Sequence, residues 1–189
     1  MEKGAVKRID PPGIILKYYE PGSTSYMILV EHSKAVAGKA MEIARRVAHL
    51  NPDMEFVEAA AMLHDIGIFM TMAPEIGCFG DKQYICHGYL GRELLEREGL
   101  PKHALVCERH VGVGISIVDI DNQKLPIPRR DMLPITLEEK IICFADKFFS
   151  KKEESLNAVR PIEEVRRQLT RYGREQLRRF EQMYEMFGV

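Results

Sequence analysis

The sequence has no run of about 18 apolar residues, so it predicts no membrane-spanning helix. Its first residues, "MEKGAVKRIDPPG", lack the apolar stretch of a secretory signal. Cysteine is sparse: Cys78, Cys86, Cys107 and Cys143 lie far apart with no CxxC pair. That spacing excludes a dense disulfide framework and suits reduced, buried thiols, so the expected location is the cytoplasm. Charge of either sign is not in excess. The formal net charge of -1 gives no general support for binding nucleic acid or an anionic membrane. Internal repeats and low-complexity segments are also missing.

What is present is apolar material in helical register. Apolar residues make up 46% of the 189 residues, enough for one sizeable core. The reading is all-α, a single domain over 1–189. Asp10 and Pro11 look like a helix start. A long helix is expected from about Ser23 to Leu50, with Ile28, Leu29, His32, Val36, Ala40, Ile43 and Val47 in register. "NPD" separates it from a second helix that ends in "AAAMLHDIG". Residues 71–83 are expected to be a loop. Further helices are expected from Tyr84 to Glu98 and from Pro101 through "KHALVCERH". The stretch 111–135 reads as one long irregular segment, with a short strand at "GISIVDI" conceivable; a loop of this length suggests a lid. Thr136 and Glu139 form a capping box for "LEEKIICFADKFFSK". One amphipathic helix is expected from Pro161 to about Phe187, as a cover for the core or a dimer face.

Polar residues interrupt this apolar pattern at particular places. His32, His87 and His110 lie on the apolar faces of three helices. His64 and Asp65 sit side by side at the apolar end of another. Asp146 follows Ile142 and Cys143 and precedes Phe149. A buried carboxylate costs several kcal/mol unless it is paired, and these faces offer few lysines or arginines. Divalent metal ions would resolve the problem, since imidazole and carboxylate ligands suit iron, manganese, zinc, cobalt or nickel. Two such ions leave a net positive charge after two aspartates are counted. That excess favours hydroxide and an anionic substrate, the chemistry of a two-metal phosphohydrolase. Lys147, Arg109 and Arg130 are candidate contacts to phosphate.

The order His32, His64-Asp65, Asp146 resembles the HD superfamily of metal-dependent phosphohydrolases. "EHSKAVAGKAMEIA" at 31–44, "HDIG" at 64–67 and "FADKF" at 144–148 are similar to its motifs, and the resemblance covers about residues 23–151. It implies a helical bundle in which His32, His64, Asp65 and Asp146 hold a first metal. "CHGYLGRELL" and "ERHVGVG" are similar to the insertions of a six-ligand subset, which implies that His87 and His110 hold a second metal with Asp65 bridging. Within that subset the pattern is closest to bacterial HD-type dinucleoside tetraphosphate hydrolases. It departs from cyclic-dinucleotide phosphodiesterases of the HD-GYP type, having Ile68 after "HDIG" and "VGVGIS" after His110.

The expectation is therefore a hydrolase of a small nucleotide or other phosphoester. It carries two divalent ions, iron or manganese foremost, with Asp65 as the central catalytic residue and a metal-bridging hydroxide as nucleophile. Two other readings use the same residues: a diiron oxygenase and a non-catalytic ligand-binding module. The expected partner is a small phosphorylated molecule, with no nucleic acid and no membrane, and a homodimer is compatible.

Overall fold

The computed structural model describes residues 9–152, 155–156 and 158–188. Helices dominate it. In chain order they are α1 (Pro11–Ile15), α2 (Thr24–Arg46), α3 (Met54–Leu63), α4 (His87–Arg97), α5 (Pro101–Arg109), α6 (Ile117–Gln123), α7 (Leu137–Asp146), α8 (Ile162–Tyr172) and α9 (Arg174–Phe187). A two-residue antiparallel pair, β1 (Met72–Ala73) and β2 (Cys78–Phe79), stands where the sequence suggests only a loop. None of the described helices is long and apolar enough to cross a membrane.

Side-chain caps set the helix starts. Ser23 accepts from the Tyr26 amide at 3.2 Å and opens α2. Asp53 accepts from the Phe56 amide at 3.0 Å and opens α3. Thr136 and Glu139 make the reciprocal capping box expected for α7. These caps fix where each helix begins, and so which residue each helix carries at its far end.

α2 packs against α3 and α7, α4 against α5, and α9 against α7 and α8. One apolar cluster joins α2, α3, α7, α8 and α9 through Val36, Ile43, Phe144, Phe180 and Phe187. The Phe144 and Phe180 rings stack at 5.0 Å. A second cluster, built on Ile15, Leu29, Leu63, Ile66 and Leu94, fills the space between α1, α2 and α4. Each such buried side chain contributes roughly 1.5–3 kcal/mol.

Three expectations about elements are corrected. The helix expected from Pro161 to Phe187 is two helices. Gly173 at φ +127 breaks it, in backbone that side chains with a Cβ rarely adopt. Tyr172, the last residue before the break, is 55% exposed. The segment 111–135 is not wholly irregular, because Ser116 and Asp119 form a capping box that opens α6. A strand at "GISIVDI" therefore does not form; only Ile115 pairs, with Met132. Third, the helix begun at Leu137 ends at Asp146 rather than continuing through Lys151.

His103 is buried in α5, edge-on to Phe56 at 4.7 Å, and its Nε2 has no hydrogen-bond partner. Burial lowers its pKa to about 4. The unfolded chain would protonate it near 6.5. The unfolded state thus binds more protons between about pH 6.5 and 4, so stability falls as pH drops through that window. The urea midpoint of His103→Phe is expected to fall less between pH 7 and 4.5 than that of the wild type. Parallel curves would show that His103 does not titrate in this way.

Candidate metal centre

Four helix ends and one helix face meet between the apolar clusters. α2 presents His32 from its buried face. α3 ends at His64, and Asp65 lies in the turn that follows. α7 ends at Asp146. α4 begins with His87, and His110 caps the end of α5. All six side chains are buried, Asp65 at 0% exposure.

The two oxygens of Asp65 face different partners. Oδ2 lies 3.1 Å from His32 Nε2 and 3.0 Å from His64 Nε2. Oδ1 lies 3.4 Å from His87 Nε2 and 3.3 Å from His110 Nε2. Asp146 Oδ1 joins the first set, 3.0 Å from His32 Nε2 and 3.5 Å from His64 Nε2. The ligand atoms thus fall into two groups that share Asp65: His32, His64, Asp65 and Asp146, and Asp65, His87 and His110.

Three of the imidazoles are held in one tautomer by the backbone. Nδ1 of His64 lies 2.7 Å from the Ala61 carbonyl, Nδ1 of His87 lies 2.6 Å from that of Tyr84, and Nδ1 of His110 lies 2.8 Å from that of Cys107. With Nδ1–H donating, each Nε2 faces the centre, where it would ligate a metal that displaces any proton it holds. Both Asp65 oxygens and His64 Nε2 are buried without a hydrogen bond of good geometry. Lys151 ion-pairs with Oδ2, but buried polar atoms without hydrogen bonds are rare in folded proteins. Together with the all-N,O donor set, they fit a pair of divalent ions.

The electrostatics are consistent with a site of fixed negative charge. Burial opposes ionisation of Asp65, but Lys151 and His64 outweigh it and hold its pKa well below the usual carboxylate range. Asp146 is likewise held low against burial, chiefly by Lys147 and His32. Burial also opposes charge on His64, yet Asp65 and Asp146 lift its pKa to about 9. Burial lowers His87 to about 3 and also lowers His110.

Close packing positions the second pair of histidines. A Cβ on Gly67 would stand 2.3 Å from the His87 carbonyl and 2.5 Å from the Gly91 amide. The "HDIG" glycine therefore lets α4 cross directly over the turn that carries Asp65. Gly67→Ala is expected to cost about 1–3 kcal/mol through overpacking and to weaken metal binding at His87 and His110. An unchanged melting temperature and full metal content would contradict this account of Gly67.

A cavity of about 360 Å³ opens onto the centre. His87, His110, Asp146, Lys147 and Lys151 line it on the side of the centre, together with residues of α6, α8 and α9 and of the segments between helices, Arg160 among them. Lys147 Nζ lies 2.7 Å from Asp146 Oδ2 and donates to the His110 carbonyl at 3.2 Å. The other two basic residues proposed from sequence do not line this cavity. Arg109 pairs with Glu139 at 2.8 Å. Arg130 donates to the buried Glu108, which also takes Arg92 at 2.5 Å. The Arg130 pair, the Ile115–Met132 bridge and the bond from Gln176 to the Gly114 carbonyl hold 111–135 against the body as a wall rather than a free lid.

Sequence reasoning does not single out Lys151, Tyr84 or Arg160. Lys151 Nζ lies 2.6 Å from Asp65 Oδ2 and 5.9 Å from the Tyr84 ring. Its only sequence signal is position, five residues beyond Asp146 in "FADKFFSK". Arg160 lies beyond all the motifs.

Residues 29–150 match the HD domain family. An uncharacterised protein of Methanocaldococcus jannaschii is 36% identical over 140 residues, which cover 71% of this chain and 75% of that protein. A tRNA (cytidine(56)-2'-O)-methyltransferase of Thermoplasma volcanium is 32% identical over 152 residues, 79% of this chain and 40% of that enzyme. The corresponding enzyme of Picrophilus torridus is 33% identical over 125 residues, 65% of this chain and 32% of that enzyme. The chain therefore matches less than half the length of either methyltransferase. No solved structure matches.

Proposed function

The chain belongs to the HD domain family, and we propose that it is a dinuclear-metal phosphohydrolase acting on a small nucleotide or related phosphoester. The observation that carries this reading is Asp65, whose two oxygens face two separate sets of ligands, of which His87, His110 and Asp146 line a cavity. His32, His64, Asp65 and Asp146 would hold one ion, and Asp65, His87 and His110 the other, with iron or manganese foremost. Two divalent ions so held lower the pKa of water and carry charge for phosphoryl oxygens.

The chain's own residues do the rest. The backbone carbonyls of Ala61, Tyr84 and Cys107 fix the imidazole tautomers. Lys147 and Lys151 balance Asp146 and Asp65. Once those carboxylates are shared with metal, both ammonium groups are placed on the centre's side of the cavity to hold phosphoryl oxygens. The buried faces of α2, α3 and α7 keep bulk water from the ligands and hold them rigid.

The test is phosphate release from a substrate panel by manganese-loaded protein without dioxygen. The panel spans nucleotides and dinucleoside polyphosphates. Two relatives are named for action on tRNA, so short RNAs with terminal phosphates belong in it too. Release from at least one class, dependent on metal, is expected. Turnover that needs iron and consumes dioxygen would replace this reading with an oxygenase. Two bound ions with no turnover across the panel would leave a binding module.

A further inference from the structure

Arg160 is a cation on the wall of the cavity, and no carboxylate among the described residues balances it. The other two are paired: Lys147 with Asp146 and Lys151 with Asp65. Among the described residues Arg160 makes no ion pair. Its guanidinium donates instead to two neutral oxygens, the Lys147 carbonyl and the Gln168 side chain. Its Nε–H is buried and has no partner. A guanidinium has five N–H donors, so besides the buried Nε–H two terminal N–H groups remain for a ligand.

The group is also well positioned. The Arg160 amide donates to the Phe148 carbonyl at 2.8 Å. Its side chain grips Lys147, the residue next to the ligand Asp146. Gln168, which orients one edge of the guanidinium, donates in turn to the Tyr172 hydroxyl at 3.1 Å. A chain of contacts thus runs from the centre's side of the cavity to the exposed Tyr172 ring on its rim. All three residues lie beyond the stretch 29–150 that matches the family. The cavity also has apolar walls, including Ile115, Leu125 and Leu169, and it is larger than one phosphate needs.

We propose that Arg160 forms a second anion subsite, so that the substrate is an organic phosphate bearing two phosphate groups, one at the metal centre and one on Arg160. This inference rests on the proposed function for the placement of the first phosphate. Charge favours it. Two divalent ions with Lys147, Lys151 and Arg160 exceed the charge of Asp65, Asp146, one hydroxide and one phosphate dianion. A second phosphate meets that excess. A planar, always-charged guanidinium with free N–H edges is the side chain best matched to such a group.

The test uses the full chain loaded with manganese and calorimetric titration with three probes: AMP, ADP and adenosine 3',5'-bisphosphate. At least one of the two-phosphate probes is expected to bind about tenfold or more tighter than AMP, the effect of one good charged contact. Arg160→Gln should remove that gain, with a smaller loss for AMP, while metal content by elemental analysis stays at the wild-type level. Arg160→Lys keeps the charge and should retain part of the gain even if Arg160→Gln folds poorly. The proposal is overturned if neither two-phosphate probe exceeds AMP. It is also overturned if both variants weaken all three probes alike, which is the signature of a purely structural contact to Lys147. Preferential binding without phosphate release across the full substrate panel would keep the subsite and reject the hydrolase reading; hydrolysis of AMP without preferential binding would do the reverse.

Discussion

Asp65→Ala is expected to lose both metal ions together. Among the described residues no other belongs to both ligand groups. Its Oδ2 faces His32 and His64, and its Oδ1 faces His87 and His110. Removal of the carboxylate leaves the second group with two neutral imidazoles and the first with one carboxylate. Loss of a supporting contact to a ligand typically costs 10–100-fold in metal affinity, so loss of a shared ligand should cost more than about a hundredfold at each position. Activity should fall below detection. Elemental analysis of dialysed protein checks the result, and full occupancy in Asp65→Ala would remove Asp65 from the centre. Asp65→Asn is a useful companion because it keeps the shape and removes the charge. It should also lose at least one ion.

His87→Ala should separate the two positions. His87 approaches Asp65 Oδ1 and His110 Nε2, at 3.4 and 3.3 Å, and its Nε2 belongs to the second group only. The variant should hold one ion, on His32, His64, Asp65 and Asp146, and lose most activity. A site reduced to one ion keeps charge for one phosphoryl oxygen but loses the clamp of a two-metal centre. The expected drop is on the order of a hundredfold or more, a few kcal/mol of transition-state stabilisation. Two tightly held ions in His87→Ala, or wild-type turnover with one, would contradict the assignment. The backbone contact from Tyr84 makes a further distinction: it fixes the His87 ring through main chain, so Tyr84→Phe should leave metal content unchanged.

Much of this centre is legible in the order of the amino acids. Histidines on apolar helix faces and an aspartate in an apolar turn are costly unless something uses them. That cost, with the spacing of "HDIG" and "FADKF", points to the six ligands. Their grouping about Asp65 follows from the resemblance, and the two oxygens of Asp65 face the two groups accordingly. The cavity is harder to read. Arg109 is a candidate phosphate contact by adjacency to His110, and Arg130 by its place in the long loop, but a neighbour of a ligand on a helix points about 100° away from it. Arg109 turns to Glu139, and Arg130 is spent on Glu108. The residues that do line the wall come from segments with no motif. Arg160 arrives there because the chain turns after α7, and Gly173 then divides the C-terminal helix. Neither event is coded by hydrophobic period, which reads through the glycine as though the stripe continued.

The most direct test of the central claim is anomalous diffraction from crystals of the manganese-loaded protein, recorded at the manganese edge. Two peaks should lie one on either side of Asp65, roughly 3.5–4 Å apart as in other two-metal sites. One should fall among His32, His64 and Asp146, and the other against His87 and His110. Lys151 Nζ, which lies 2.6 Å from Asp65 Oδ2, should stand away from that oxygen. A single peak, or none with Lys151 still seated on Asp65, would contradict the two-metal centre.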